Sequence, residues 1–189
     1  MNWFSILSHE SYMLHHYFRT FSYSKKLVLA ALFSALAAIL QSTGNFLPGI
    51  GYLISPFATL PILICTIISI PFGLQSYVIT LLLLILIQPS ESFVFPFTTG
   101  IVGLGIGIAL LFLKRRISII VFTSILLMGG ICFLLYIVHF PVLGPFASTS
   151  PSLKVIGFIY IFSFIYSWVW AEISRFIFKK WYKLMKKNR

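Results

Sequence analysis

The sequence predicts an all-α, polytopic membrane protein: a six-transmembrane-helix bundle with both termini cytosolic. Three observations predict it. The 189 residues are 59% hydrophobic and 9% charged, with only three acids, Glu10, Glu91 and Glu172, whereas a soluble domain is about a quarter charged. The apolar residues fall in long runs, the bilayer signal rather than the buried-core signal. Lys and Arg then gather at alternate ends of those runs, which is the cytosolic mark.

Residues 1–24 are polar and aromatic, with Trp3, Leu7, Leu14, Phe18 and Phe21 at helical spacing. They read either as an interfacial helix on the inner leaflet or as a disordered tail. They lack a basic start followed by an apolar core, so no cleavable signal peptide is expected. Residues 25–180 form the six-helix domain, and residues 181–189 a basic cytosolic tail.

The first apolar run is Leu27–Leu40, about 21 Å as a helix and short for a crossing. Lys25 and Lys26 can snorkel at one end, and Gln41 through Phe46 can extend the other. A turn is expected at TGNFLPGIG. The stretch Tyr52–Ile87 would be about 54 Å as one helix, against a hydrocarbon core of roughly 30 Å, so it makes two crossings. Pro71-Phe72-Gly73 supplies the break, giving Tyr52–Ile70 and Leu74–Ile87. A polar QPSES loop follows. The fourth helix spans Phe93–Leu113, the fifth Ile117–Phe140 and the sixth Val155–Phe178, with PVLGPFASTSPSLK as the last outer loop.

Charge tests this count. Six crossings place every one of the 14 Lys and Arg residues except Lys154 on the cytosolic side. Without a crossing by the short first run, Lys25 and Lys26 would fall on the wrong side. The net charge of +11 is thereby assigned to helix anchoring and anionic lipid headgroups, not to nucleic acid. Trp181 and Tyr182 suit an aromatic belt at the inner interface.

Chemistry-bearing motifs are sparse. Cys65 and Cys132 have no CxxC partner, so no metal site or disulfide framework is expected. HExxH, GxSxG and P-loop patterns are missing, and carboxylates are too few for acid–base pairs, so no catalytic residues and no cofactor are assigned. No internal repeat suggests an autonomous transporter.

Several groups carry both a structural and a functional reading. On the first helix, Ala31 and Ala35 form a small-xxx-small pattern, which Ser34 and Ala38 repeat; it packs the bundle or docks a partner protein. Gly100, Gly103 and Gly107 share a face of the fourth helix, for close packing or a sliding or ligand-bearing surface. Tyr160, Ser163, Ser167, Trp170 and Ser174 form a semi-polar stripe expected to face the bundle interior. Glu91 is the one outer acid, either a solvated loop residue or a contact for a cationic or amine-bearing ligand. Asn45, Glu91, His139 and Tyr160 converge by topology on the outer half of the bundle and are the candidate substrate-binding residues. Glu172 and Arg175, three residues apart, are expected to pair.

The Ala-rich first helix directly after Lys25-Lys26, together with SPFATLPILICTIISIPFGLQSYVI, an outer loop leading into a Pro-containing helix and a tight Pro-Phe-Gly turn, resembles the substrate-binding S components of bacterial energy-coupling-factor (ECF) transporters. The resemblance covers roughly Lys25–Lys187. It implies capture of a vitamin-like micronutrient in an outward-facing pocket, docking on a membrane coupling subunit bound to two ATPase subunits, and location in the bacterial cytoplasmic membrane. It maps the partner contact onto Ala31 and Ala35, and the pocket-covering loop onto Ser42–Gly51. The chain would not itself be an enzyme. The rival reading is a small structural or assembly partner with no transported ligand.

Overall fold

The computed structural model describes residues 15–47, 49–113, 115–140 and 153–187. Among them six helices are long and apolar enough to cross a membrane: α1 (Tyr23–Phe46), α2 (Gly51–Ile68), α3 (Ile70–Ile87), α4 (Pro89–Phe112), α5 (Arg116–Tyr136) and α6 (Leu153–Lys187). The chain is a multi-pass, all-α membrane protein. The stripe formed by Trp3, Leu7 and Leu14, the loop at 141–152 and Lys114 lie outside the described residues.

Helix α2 is the centre of the bundle, packed against α1, α3 and α4. Its second half, Thr59–Ile68, is buried at every residue but Leu60, which is why it is apolar around its whole circumference. Prolines shape its start. Pro56 falls in a 3-10 turn, Ser55–Ala58, that divides the short helix Gly51–Ile54 from Thr59–Ile68, because proline has no N–H to continue the α pattern. The break into α3 is one residue, the extended Ser69, and Pro71 occupies the first turn of α3. The sequence had placed this break at Pro71-Phe72-Gly73. Proline tolerates the first helical turn, where its missing N–H goes unused, so the helix resumes before it rather than after it.

Glycines set the distances between helices. Thr66 on α2 is flanked by Gly73 of α3 and Gly107 of α4, and a Cβ at either glycine would collide with its side chain. Gly103 meets the backbone of α2 at Thr59, whereas Gly100 faces the rings of Tyr77 and Phe95. The shared face of α4 is therefore a packing face.

Helix α1 divides its small residues between two sides. Ala30, Ser34, Ala37 and Ala38 are buried, and Ser34 Oγ donates to Ser76 Oγ of α3 at 2.9 Å. Ala31 and Ala35 point out of the bundle beside the exposed Leu32 and Leu36. The helix also runs to Phe46 and the next begins at Gly51, so most of the expected loop at Ser42–Gly51 is helical. Gly49 adopts a left-handed φ of 84° there.

Helix α6 lies along α5 at the edge of the bundle. Its 35 residues amount to about 52 Å, well beyond a hydrocarbon core of roughly 30 Å. No break separates the span from the basic tail; the helix continues to Lys187. Residues 15–19 form a helical turn against the same end of the bundle, where the rings of Phe18 and Trp181 meet edge to face at 6.4 Å.

Candidate functional site

A cavity of about 500 Å³ opens between α1, α2, α4, α5 and α6, at the end of the bundle opposite Lys25, Lys26, Arg115, Arg116 and Lys179. A break in helix regularity shapes its mouth. In α4 a 3-10 turn at Phe95–Phe97 separates Pro89–Val94 from Thr99–Phe112. Carbonyls released by such a break must find other donors inside a membrane. Thr98 Oγ1 donates to the Val94 carbonyl at 2.7 Å, and Tyr77 Oη to the Pro96 carbonyl at 3.1 Å. Gly130 of α5 lets the Phe97 backbone approach closely, and the Phe97 and Phe133 rings stack at 4.6 Å. The first turns of α4 are thus held over the cavity, with Glu91 turned toward α1.

The polar heart of the site is a hydrogen-bonded chain. Thr99 Oγ1 donates to Gln41 Oε1 at 2.7 Å, and Gln41 Nε2 donates to Glu91 Oε2 at 2.7 Å. Gln41 and Thr99 are buried, and Glu91 is half-buried. Nearer the mouth, Asn45 Nδ2 donates to Ser90 Oγ at 2.9 Å. The opposite walls are aromatic: Tyr52 from α2, Phe140 after α5, and Phe162 and Tyr166 from α6. Leu127 and Ile131 line it more deeply. Leu127 lies nine residues before the end of α5 at Tyr136, so the cavity reaches about 13 Å along that helix.

Of the four candidate binding residues, the structure brings Asn45 and Glu91 to the cavity and leaves His139 and Tyr160 outside its lining. The His139 side chain is exposed. Its contribution is backbone: a left-handed φ of 60° reverses the chain after α5, and the Phe140 N–H donates to the Leu134 carbonyl at 2.9 Å. Histidine is among the non-glycine residues that adopt this conformation more readily, and the reversal brings Phe140 over the cavity. Tyr160 faces outward against Phe164. Successive helix residues turn by about 100°, so the cavity face falls on Phe162 and Tyr166 instead. The rest of the expected α6 stripe, Ser163, Ser167, Trp170 and Ser174, is buried as anticipated.

Sequence reasoning passed over Thr99, Ser90, Tyr52, Phe140 and Tyr166. Thr99 could have been noticed, since a Thr-Thr pair after an FPF segment marks where a proline-broken helix resumes. At the basic end, Glu172 of α6 pairs with Arg116 of α5 and approaches Arg175 at 3.7 Å. Among the described residues no three His, Cys, Asp or Glu side chains gather in a metal-binding group. The chain matches no protein-family model, no curated protein and no solved structure.

Proposed function

We propose that the chain is a membrane-embedded substrate-binding subunit for uptake of a vitamin-like micronutrient, energised by ATPases supplied in trans, in the manner of an ECF S component. The observation that carries this reading is the cavity. Its volume of about 500 Å³ is that of a small-molecule site, and aromatic walls with a few convergent polar groups are what such sites use. It opens at the end away from every described Lys and Arg but Lys154, which under the positive-inside rule is the external face of a bacterial cytoplasmic membrane. Both termini are then cytosolic, with the basic end against anionic lipid.

The outward-facing Ala31 and Ala35 supply the second requirement, a smooth helix surface on which a coupling subunit can pack closely. An assembly partner with no ligand would use that surface but would leave the hydrogen-bonded Thr99–Gln41–Glu91 chain without a role. The chain itself is read as performing no covalent chemistry, since the cavity lining holds one carboxylate and no second Asp or Glu, and no His, Lys or Cys, to work with it.

Co-purification tests the proposal. The tagged chain, gently extracted from its native membrane, should bring with it a coupling subunit and two ATPases. Ala31→Trp and Ala35→Trp should abolish that recovery while leaving small-molecule binding intact. Failure to recover ATPases, under conditions that recover them with an established S component, would leave the assembly-partner reading in front.

A further inference from the structure

We propose that the ligand of this cavity is a cation: a molecule with a planar aromatic part and a protonated amine or amidine that pairs with Glu91. This rests on the binding reading above and specifies its chemistry.

The inference starts from how Glu91 is held. Its Oε2 accepts one hydrogen bond, from Gln41, at 2.7 Å. Gln41 is itself anchored by Thr99 at 2.7 Å, so a fixed donor is aimed at the carboxylate and presents it to the cavity as an acceptor. On its other side Glu91 Oε1 faces Gly44 of α1, where a Cβ would come into ordinary van der Waals contact with it at 3.6 Å. That oxygen accepts no hydrogen bond from the described residues.

Charge is the second step. Among the described residues no Lys, Arg or His forms an ion pair with Glu91. Lys154, the described Lys or Arg at this end, is exposed and does not line the cavity, and neither does His139. A half-buried carboxylate within a membrane bundle is costly unless a cation or several donors compensate it. Among the described residues this one has a single donor, Gln41, and no Lys, Arg or His paired with it, while it lines the cavity. A ligand amine or amidine supplies both the charge and the missing hydrogen bonds.

The walls select the rest of the molecule. Tyr52, Phe140, Phe162 and Tyr166 line the same cavity as Glu91, and aromatic faces favour both flat rings and cations. An anionic ligand would meet the Glu91 carboxylate with no positive side chain in the lining to offset the repulsion.

The test uses three probes sharing one bicyclic ring and differing in charge: tryptamine, indole-3-acetate and tryptophol. Binding to the purified full chain in nanodiscs is read by equilibrium dialysis, with extracts of the purified chain searched by mass spectrometry for retained small molecules. Tryptamine should bind at least tenfold more tightly than the other two. Glu91→Gln should remove at least tenfold of that affinity while preserving the thermal unfolding transition; should it not fold, the discrimination by the unmodified chain still decides. Equal or tighter binding of indole-3-acetate or tryptophol, or unchanged tryptamine affinity in folded Glu91→Gln, would overturn the cationic assignment and leave the binding reading standing. Absence of any probe binding together with no retained small molecule would overturn both.

Discussion

Glu172 on α6 pairs with Arg116, the first residue of α5, while Arg175 on its own helix stands 3.7 Å away. Sequence spacing pointed to Arg175. The nearer partner is Arg116 because α5 begins at the level where α6, running antiparallel beside it, carries its acid. The cluster thus ties two neighbouring helices together. Double-mutant cycles on Glu172→Gln with Arg116→Gln and with Arg175→Gln, followed by thermal unfolding in detergent, should show the stronger coupling for Arg116. Its size should be about 1 kcal/mol, against a few tenths for the i,i+3 pair, since all three side chains remain partly accessible. Equal coupling in the two cycles would mean that the interhelical pair adds nothing specific.

Two glycines should respond to alanine in opposite directions. Gly107 faces the Thr66 side chain, and a Cβ there would lie 2.6 Å from Thr66 Cγ2. Gly107→Ala must therefore separate α4 from α2 or displace Thr66, costing about 1–3 kcal/mol as overpacking does. Gly129 is also within a helix, α5, but nothing lies within 4 Å of a Cβ placed on it. Gly129→Ala should gain roughly 0.5–1 kcal/mol from the lower backbone entropy of the unfolded chain. Melting temperatures of the two variants in one detergent check both signs, and a stabilised Gly107→Ala would show that this helix contact is not tight.

What could be read from the sequence follows from which forces are local. Hydrophobic run length and cation placement are one-dimensional signals, so six crossings were legible, including the short α1 whose crossing Lys25 and Lys26 require. Glu91 and Asn45 were legible as outer polar residues for the same reason. Which side of a helix faces inward depends on neighbours that no run length encodes. In a membrane both sides of a helix are apolar, and amphipathic periodicity gives little help. Tyr160 was accordingly placed on the wrong side of α6, and Tyr166, which approaches Thr59 at 3.4 Å, was missed. His139 misled differently: its side chain suggested chemistry, whereas its backbone makes the turn that places Phe140. The contact of His15 Nδ1 with the Ile67 carbonyl at 2.8 Å joins residues 52 apart in sequence; it meets a carbonyl released where Ser69 breaks the helix, and no local pattern announces it.

The direction in which the cavity opens can be measured by cysteine labelling. Leu153 is 86% exposed at the start of α6, on the cavity side, and Lys179 is exposed near the opposite end of the same helix. With Cys65 and Cys132 replaced by Ala, Leu153→Cys should react with a membrane-impermeant maleimide in intact cells. Lys179→Cys should react only after permeabilisation. The expectation rests on charge: Lys25, Lys26, Arg115, Arg116 and Lys179 belong to the end opposite the cavity, and positive residues are retained on the cytosolic side during insertion. Because α6 is one continuous helix from Leu153 to Lys187, its two ends must report opposite faces, so each variant is the control for the other. Labelling of Lys179→Cys from outside would turn the cavity toward the cytosol. Glu91 and Gln41 would then face a compartment from which nothing is captured for uptake, and the micronutrient-binding reading would fall even if a ligand were bound.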